Sequence, residues 1–233
     1  MAIDLKSFTV ARVGLERRGS SLATRELLRF ELDHARARDA VHMELDASSL
    51  GFEHLLVNSA AKDRRNYLLR PDLGRKLDGH LDPVPCDAAI VVADGLSALA
   101  VHRHAQEMIA RMTNLLQGWK LAPIVVARQA RVAIGDEIGQ QLGAKLVLLF
   151  IGERPGLSSP DSLGAYLTYD PRPGRTDAER NCVSNIRPEG LSYDVAANLI
   201  YFLMKEARSR QLSGVTLKGD ARTHTLIDSG PNS

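Results

Sequence analysis

Three short apolar runs in the second half of the chain constrain its fold more than any other feature. They are AAIVVAD at 88–94, APIVVAR at 122–128 and KLVLLFIG at 145–152. Each run is almost continuously apolar, and a strand with that pattern is buried on both faces. Helical patterns of apolar residues separate the runs. Strands that alternate with helices predict an α/β fold with a Rossmann-like, doubly wound and mainly parallel sheet.

Three further elements complete this prediction. AYLTYD at 165–170 has the pattern of a fourth strand, and the segment 192–214 has that of a long helix. The segment TRELLRFELDHARARDAV at 24–41 predicts an amphipathic helix, because its apolar residues recur at helical spacing. Those residues are Leu28, Leu32 and Ala35.

The chain divides into three predicted regions. Residues 1–86 form an N-terminal arm and helical region, in which 42–86 shows no regular pattern. Residues 87–218 hold the strands and form the Rossmann-like domain. Residues 219–233 are a polar tail.

Composition excludes several classes of protein. The chain has 30 basic and 28 acidic residues, so its net charge of +2 gives no reason to expect nucleic acid or an acidic membrane surface as partner. Two cysteines far apart, Cys86 and Cys182, form neither a disulfide framework nor a zinc motif. No stretch approaches the roughly 18 apolar residues of a membrane span, and the N-terminus lacks an apolar signal region. We therefore expect a cytoplasmic protein.

Candidate binding segments follow the predicted strands, because ligands of such sheets lie beyond the carboxyl ends of the strands. They are DGLS at 94–97, RQARVAIGDE at 128–137 and GERPGLSSPDS at 152–162. None carries a GxGxxG, phosphate-loop or GxSxG motif. The polar segment 175–190 is another candidate loop. From the residues alone, a stand-alone α/β enzyme acting on a nucleotide or sugar stays open, with Asp94 and Glu153 as acid/base candidates.

The histidines do not predict a metal site. His102 and His104 are two residues apart on a predicted helix, so their rings point in nearly opposite directions. His80 lies in DGHLDP, which only begins like a cobalamin-ligating histidine motif and has Pro83 where that motif has glycine. We do not propose His80 as an axial ligand.

A series of segments, in order along the chain, closely resembles the small (light) subunit of ethanolamine ammonia-lyase. The combination of ERPGL, RPDLGR and NCVSNI is specific, although each piece alone is weak. The segments are TVARVG at 9–14, TRELLRFELDHARARDAV at 24–41, NYLLRPDLGRKL at 66–77, VVADGLSALAV at 91–101, QARVAIGDEIGQQLGAKLVLL at 129–149 and the stretch from IGERPGL to NIRPEG at 151–190.

The resemblance implies a function for the chain. The family's enzyme converts ethanolamine to acetaldehyde and ammonia with adenosylcobalamin, whose cobalt–carbon bond breaks to start radical chemistry. A large barrel-shaped subunit carries the substrate site, and the Rossmann-like small subunit covers part of the cofactor between them. The family usually assembles six of each subunit. Residues 87–218 then become the cobalamin-contacting domain and residues 1–86 the partner-docking region.

Three residues match cobalamin-contacting positions of the family. They are Val132 of QARVAIGDE, Glu153 of ERPGL and Cys182 of NCVSNI. A carboxylate accepts hydrogen bonds from the amide groups on the corrin rim, and small side chains permit close approach to the corrin. The resemblance places no catalytic residue and no metal ligand in this chain. A scaffold that has lost cofactor contact is an alternative.

The N-terminus bears on location. Some family members carry a long N-terminal extension that is associated with packaging in a bacterial microcompartment. Here the resemblance begins almost at once, so we expect free cytosol rather than a microcompartment.

Overall fold

A seven-stranded mixed sheet organises the computed structural model, which describes residues 13–217. A small hairpin of two further strands precedes it. The strands are β1 (Arg17–Arg18), β2 (Ser21–Leu22), β3 (Leu55–Ser59), β4 (Leu77–Asp78), β5 (Ala88–Ala93), β6 (Val125–Arg128), β7 (Leu146–Gly152), β8 (Leu163–Tyr169) and β9 (Arg180–Ile186). The helices are α1 (Thr24–His42), α2 (Arg64–Leu69), α3 (Ala98–Leu115), α4 (Ile134–Leu142) and α5 (Tyr193–Arg210).

The strand order of the large sheet is β4-β3-β6-β5-β7-β8-β9. The four strands β3, β6, β5 and β7 are parallel neighbours. The pairings β3–β4, β7–β8 and β8–β9 are antiparallel, so β9 runs in the same direction as β7. The predicted α/β class with a mostly parallel sheet is confirmed, and the sheet is mixed because of its edge strands.

Helices cover both faces of the sheet, which explains why the central strands are continuously apolar. In β5, Ile90 and Val92 pack in the core cluster that includes α3 and α5. Their neighbours Val91 and Ala93 face the other side and pack with α4. Since successive side chains of a strand alternate between faces, a strand covered on both sides needs apolar residues at every position.

The predicted elements correspond closely to the observed ones. The four predicted strands are β5, β6, β7 and β8, and β6 begins three residues later than its apolar run because Ala122, Pro123 and Ile124 precede the paired residues. The predicted long helix is α5, which ends where Gln211 adopts a left-handed conformation with φ of 56°. The irregular segment 42–86 contributes β3 and β4 to the sheet.

The helix predicted over 24–41 is α1, and its apolar side does not face the core of the chain. Leu28 and Leu32 are 58% and 50% exposed, and Ala40 is buried near the end of the helix. The predicted tail 219–233 and the first twelve residues of the predicted arm lie outside the described residues. Within residues 13–217, no helix combines the length and apolar character needed to cross a membrane.

Candidate functional site

The carboxyl ends of β5, β6 and β7 meet at one edge of the sheet and border a cavity of about 420 Å³. We call it the first cavity. Two of the three residues predicted from the resemblance, Val132 and Glu153, line it. Its other lining residues are Tyr67, Gly95, Leu96, Arg131, Ile151, Gly152, Arg154 and Tyr166.

Two glycines let the ends of β5 and β7 approach each other beneath this cavity. A Cβ atom on Gly95, which has φ of +57°, would lie 2.2 Å from the carbonyl oxygen of Gly152. A Cβ atom on Gly152 would lie 2.0 Å from the carbonyl oxygen of Ser97. The amide of Leu96 donates to the carbonyl of Gly152 at 2.9 Å. The Asp94-Gly95 turn signal thus marks a close contact between strands that only glycine permits.

Glu153 directly follows β7 and presents an oriented carboxylate. Its Oε2 accepts hydrogen bonds from the hydroxyl of Ser162 and, at 3.1 Å, from the backbone amide of Asn185. Gly164 leaves room for the other oxygen, because a Cβ atom there would lie 2.9 Å from Oε1. Within the described part of the chain no donor reaches Oε1. Glu153 therefore lines the cavity with one oxygen fixed and one available as an acceptor.

The loop between β7 and β8, which carries Glu153, is tied down at its far end by Asp161. This carboxylate accepts from Arg103 at 2.6 Å and from Arg187 at 3.4 Å, and His104 Nε2 lies 3.6 Å away. On its other side, His104 Nδ1 shares a hydrogen bond with the hydroxyl of Tyr193 at 2.8 Å. Burial lowers the pKa of His104 despite the nearby carboxylate. The loop is thus anchored to α3, to the end of β9 and, through His104, to α5.

Cys182 lies beside the first cavity rather than on its wall. It is half-buried on β9 and pairs across the strands with Tyr166 of β8, which lines the cavity. The thiol lies 3.2 Å from the hydroxyl of Ser184. Burial, reinforced by the adjacent Cys182, raises the pKa of Tyr166, so its phenol stays protonated at neutral pH. Because paired residues share one face of a sheet, Cys182 and Tyr166 form a continuous surface next to the cavity.

Val132 belongs to the wall formed between β6 and α4, where its neighbour Arg131 is fixed by stacking. The guanidinium carbon of Arg131 lies 4.3 Å from the ring centre of Tyr67, and that of Arg64 lies 4.7 Å from it. The hydroxyl of Tyr67 donates to the carbonyl of Ala130 at 3.2 Å. The ring of Tyr67, a residue of α2, thereby holds the β6–α4 turn in place at the cavity.

Asp94 plays a structural role at the end of β5. It is fully buried, and its two oxygens accept from the backbone amides of Gln129 and Ala130, each at 2.9 Å. Arg64 donates to the same carboxylate at 3.2 Å. Burial raises the pKa of Asp94, while these donors oppose the rise. A group with no exposed surface cannot exchange protons with a substrate, so the proposed acid/base pair of Asp94 and Glu153 gains no support.

The first cavity fits an edge of a corrin. Its wall includes the apolar side chains of Leu96, Val132 and Ile151, and its acceptor is Oε1 of Glu153. Pockets that enclose a drug-sized ligand measure about 300–1,000 Å³, and adenosylcobalamin is far larger than such a ligand. A cavity of about 420 Å³ could therefore enclose only part of such a cofactor.

Sequence reasoning missed several residues that shape this site. Tyr67, Ser162 and Tyr166 were not singled out, and Asn185 was noted only as part of a polar segment. The segment 175–190 was interpreted as a loop, and its central part, Arg180–Ile186, is β9. The residue type of Asn185 could have indicated a turn at this position. Asn tolerates the left-handed backbone conformation that Asn185 adopts, with φ of 61°.

Comparison with known proteins identifies the family of the chain. Residues 2–218 match the family model described as ethanolamine ammonia-lyase light chain (EutC). The ethanolamine ammonia-lyase small subunit of Pseudomonas fluorescens strain SBW25 is 50% identical, over 99% of this chain and 90% of the relative. The small subunit of Pseudomonas fluorescens strain Pf0-1 is 53% identical, over 96% of this chain and 89% of the relative. That of Ralstonia nicotianae is 52% identical, over 97% of this chain and 90% of the relative. The chain therefore belongs to the ethanolamine ammonia-lyase light chain family.

Proposed function

We propose that this chain is the small subunit of an adenosylcobalamin-dependent ethanolamine ammonia-lyase, which converts ethanolamine to acetaldehyde and ammonia. Its task is to hold one side of the cofactor while the large subunit carries out catalysis. The observation that carries the proposal is the side chain of Glu153, which lines the first cavity with Oε2 fixed by two donors and Oε1 without a donor among the described residues. Membership of the ethanolamine ammonia-lyase light chain family supports adenosylcobalamin as the ligand.

Three residues have distinct roles in this proposal. Glu153 accepts a hydrogen bond from an amide group on the corrin rim, and a charged acceptor makes such a bond stronger than a neutral one. Val132 provides an apolar contact at the same wall. Cys182 lets the corrin lie close to β9, because its side chain is small and half-exposed. None of the three needs to change its protonation state, so the chain contributes binding and orientation.

The proposal assigns the chemical steps to the complex and not to the isolated chain. When bound, adenosylcobalamin supplies radical chemistry through cleavage of its cobalt–carbon bond. Of the two acid/base candidates named from the sequence, Asp94 is inaccessible. The residues of the first cavity bind the corrin and exclude water from its covered face. We therefore expect no turnover by the isolated chain.

A large subunit is the proposed partner, and the surface of α1 supports a docking role for the N-terminal region. Several large apolar side chains of this region are exposed instead of packing in the core. An assembly of six large and six small subunits in the cytoplasm completes the proposal. The exposed apolar residues at the start of and along α1 are Leu22, Leu27, Leu28, Phe30 and Leu32, each at least 41% exposed.

Cobalamin retention tests the proposal. The chain is passed through gel filtration with cyanocobalamin, alone and mixed with a cognate large subunit, and the visible absorbance of the protein peak is recorded. We expect retention only in the co-eluting complex, which also releases acetaldehyde from ethanolamine when loaded with adenosylcobalamin. A stable complex that retains no cobalamin would support the scaffold alternative. Turnover by the chain alone would favour the stand-alone enzyme.

A further inference from the structure

A second cavity of about 420 Å³ lies on the other side of Val132 and is rich in arginine. Arg75, Arg131, Arg175 and Arg180 line it, and we call it the arginine cavity. One carboxylate, that of the fully exposed Asp177, also lines it and lies 3.7 Å from Nε of Arg180. Arginine is the residue that most often recognises phosphate, because its planar guanidinium offers several donors in a fixed geometry. The chemistry of this lining suits an anion.

The charges of the four arginines are not equally balanced. Arg180 donates twice to the buried carboxylate of Asp136, at 2.6 and 2.7 Å. Arg175 pairs with Asp170 and Glu179. Among the described residues, no carboxylate lies within 4.0 Å of the guanidinium groups of Arg75 or Arg131. Two of the four arginines therefore present positive charge without an acidic partner of their own.

Unsatisfied donors point to a missing acceptor in the same place. The Nε atoms of Arg131 and Arg180 are buried and have no hydrogen-bond partner within the described chain. The side chain of Arg180 is only 3% exposed. Buried polar groups without a partner are uncommon, because each costs the free energy of its lost hydration. The N-terminus of α4, at Ile134, follows directly on the lining residues Val132 and Ala133. The N-terminal end of a helix dipole is positive and favours an anion.

The two cavities are parts of one surface. Arg131 and Val132 line both, and Tyr166 of the first cavity pairs with Cys182 of β9. Arg180 lies two positions before Cys182 and therefore on the same face of that strand. A ligand whose body rests against the first cavity and Cys182 can extend an anionic arm past Val132 into the arginine cavity.

We propose that the arginine cavity binds the phosphodiester of the cobalamin whose corrin rim lies in the first cavity. This inference rests on the proposed function and assigns a subsite to a group that the corrin itself lacks. The phosphodiester links the corrin side arm to the dimethylbenzimidazole nucleotide and carries the only negative charge of that arm. Arg131 and Arg75 are the donors that the inference depends on, because Arg175 and Arg180 already have carboxylate partners.

Two ligands separate the contribution of the phosphodiester from that of the corrin. Cyanocobalamin carries the nucleotide arm, and cyanocobinamide has the same corrin and amide rim without it. The dissociation constants of both are measured by equilibrium dialysis with the complex of this chain and its large subunit. The variants are Arg131→Gln and Arg75→Gln. The control is Arg172→Gln, which removes an exposed arginine outside both cavities.

We expect Arg131→Gln to weaken cyanocobalamin binding about 10- to 100-fold, as for loss of a hydrogen bond between charged groups. Arg75→Gln should weaken it severalfold, since Arg75 is more exposed. Because Arg131 lines both cavities, Arg131→Gln should weaken cyanocobinamide binding much less than cyanocobalamin binding. Arg75→Gln should leave cyanocobinamide binding unchanged, and the control should bind both ligands like the wild type. Equal weakening of both ligands, or weakening of neither, would overturn the inference.

The position of the phosphorus atom provides an independent test. In a crystal structure of the complex with cyanocobalamin, phosphorus should lie beside Arg131. Phosphorus held by the large subunit alone would overturn the inference even if cyanocobinamide binds too weakly to measure. A wild-type complex that retains neither ligand would instead remove the proposed function, and the subsite along with it. The two failures are therefore distinguishable.

Discussion

The carboxylate of Glu153 is the best single point at which to perturb the proposed cofactor site. Glu153→Ala removes the acceptor that faces the first cavity and also the acceptor of Ser162 and of the Asn185 amide. The Ser162 hydroxyl can rotate to another partner, and Asn185 is exposed, so its amide can bond to water. The change should therefore act on cofactor binding much more than on folding.

The size of the effect follows from the one open oxygen. A hydrogen bond to a charged group contributes about 1.5–3 kcal/mol, which corresponds to an affinity loss of roughly 10- to 150-fold. Glu153→Gln keeps an oxygen but removes the charge, and a neutral hydrogen bond is about half as strong. We expect Glu153→Gln to lose about 1 kcal/mol, roughly fivefold in affinity. The order wild type, Gln, Ala is thus part of the prediction.

The assay is equilibrium dialysis of cyanocobalamin against the complex, together with a thermal melt of each variant. Glu189→Gln is the matched control, because that glutamate is 70% exposed and lies outside both cavities. If Glu153→Ala binds cyanocobalamin as tightly as the control does, the assignment of Glu153 as an acceptor is wrong. If the melting temperature of Glu153→Ala falls clearly below that of the control, the loss of affinity reflects a weakened fold and the carboxylate is not shown to bind the ligand.

Three further predictions concern the surroundings of the site. Cys182→Phe should abolish cobalamin retention in gel filtration with little change in melting temperature, while Cys182→Ser should retain cobalamin. Retention by both variants would show that the corrin does not approach β9. Asp136→Ala should lower the free energy of unfolding in urea by about 3–5 kcal/mol, because Arg180 is left buried without its counter-charge; a loss below about 1 kcal/mol would contradict that reasoning. The lowered pKa of His104 means that the unfolded chain binds more protons below about pH 6.5, so acidification should destabilise the wild type more than His104→Gln. Urea titrations at several pH values between 7 and 5 measure the free energy of unfolding of each protein. If that free energy changes equally with pH in the wild type and in His104→Gln, the prediction is wrong.

The central part of the fold could be predicted because its physical causes are local. A strand covered on both faces must be apolar at every position, and β5 and β7 are buried throughout. The turn at Asp94-Gly95 was visible because the left-handed backbone there favours glycine. The position of Glu153 at the edge of the sheet follows in turn, since it directly succeeds an apolar strand.

The edge of the sheet could not be predicted in the same way. β9 mixes buried and exposed residues over Arg180–Ile186 without regular alternation, and its buried polar side chains have partners remote in sequence. Arg180 donates to Asp136 through its two terminal nitrogens, and Asn181 exchanges hydrogen bonds with the backbone of Gly214. A polar segment whose partners are long-range has the composition of a loop, so pattern alone assigns it as one. The antiparallel direction of β8 was hidden for the same reason.

Buried ion pairs explain how these separate segments form one rigid site. In the described part of the chain, three acid–arginine pairs have both side chains less than a tenth exposed. They are Asp94 with Arg64, Asp136 with Arg180, and Asp161 with Arg187.

Such pairs add little to stability, because the cost of removing two charges from water offsets most of their attraction. Their directional hydrogen bonds nevertheless fix the elements that they join. Arg64 joins α2 to the end of β5 and, through Nε, to the carbonyl of Val41 in α1 at 2.7 Å. Arg180 joins β9 to α4, and Asp161 holds the loop that carries Glu153. A binding surface assembled from five different segments needs such ties, because a displacement of one loop would separate the acceptor from the apolar wall. Through Arg64, α1 with its exposed leucines is also tied to the edge of the first cavity, so a partner that docks on α1 would contact an element fixed directly to the proposed cofactor site.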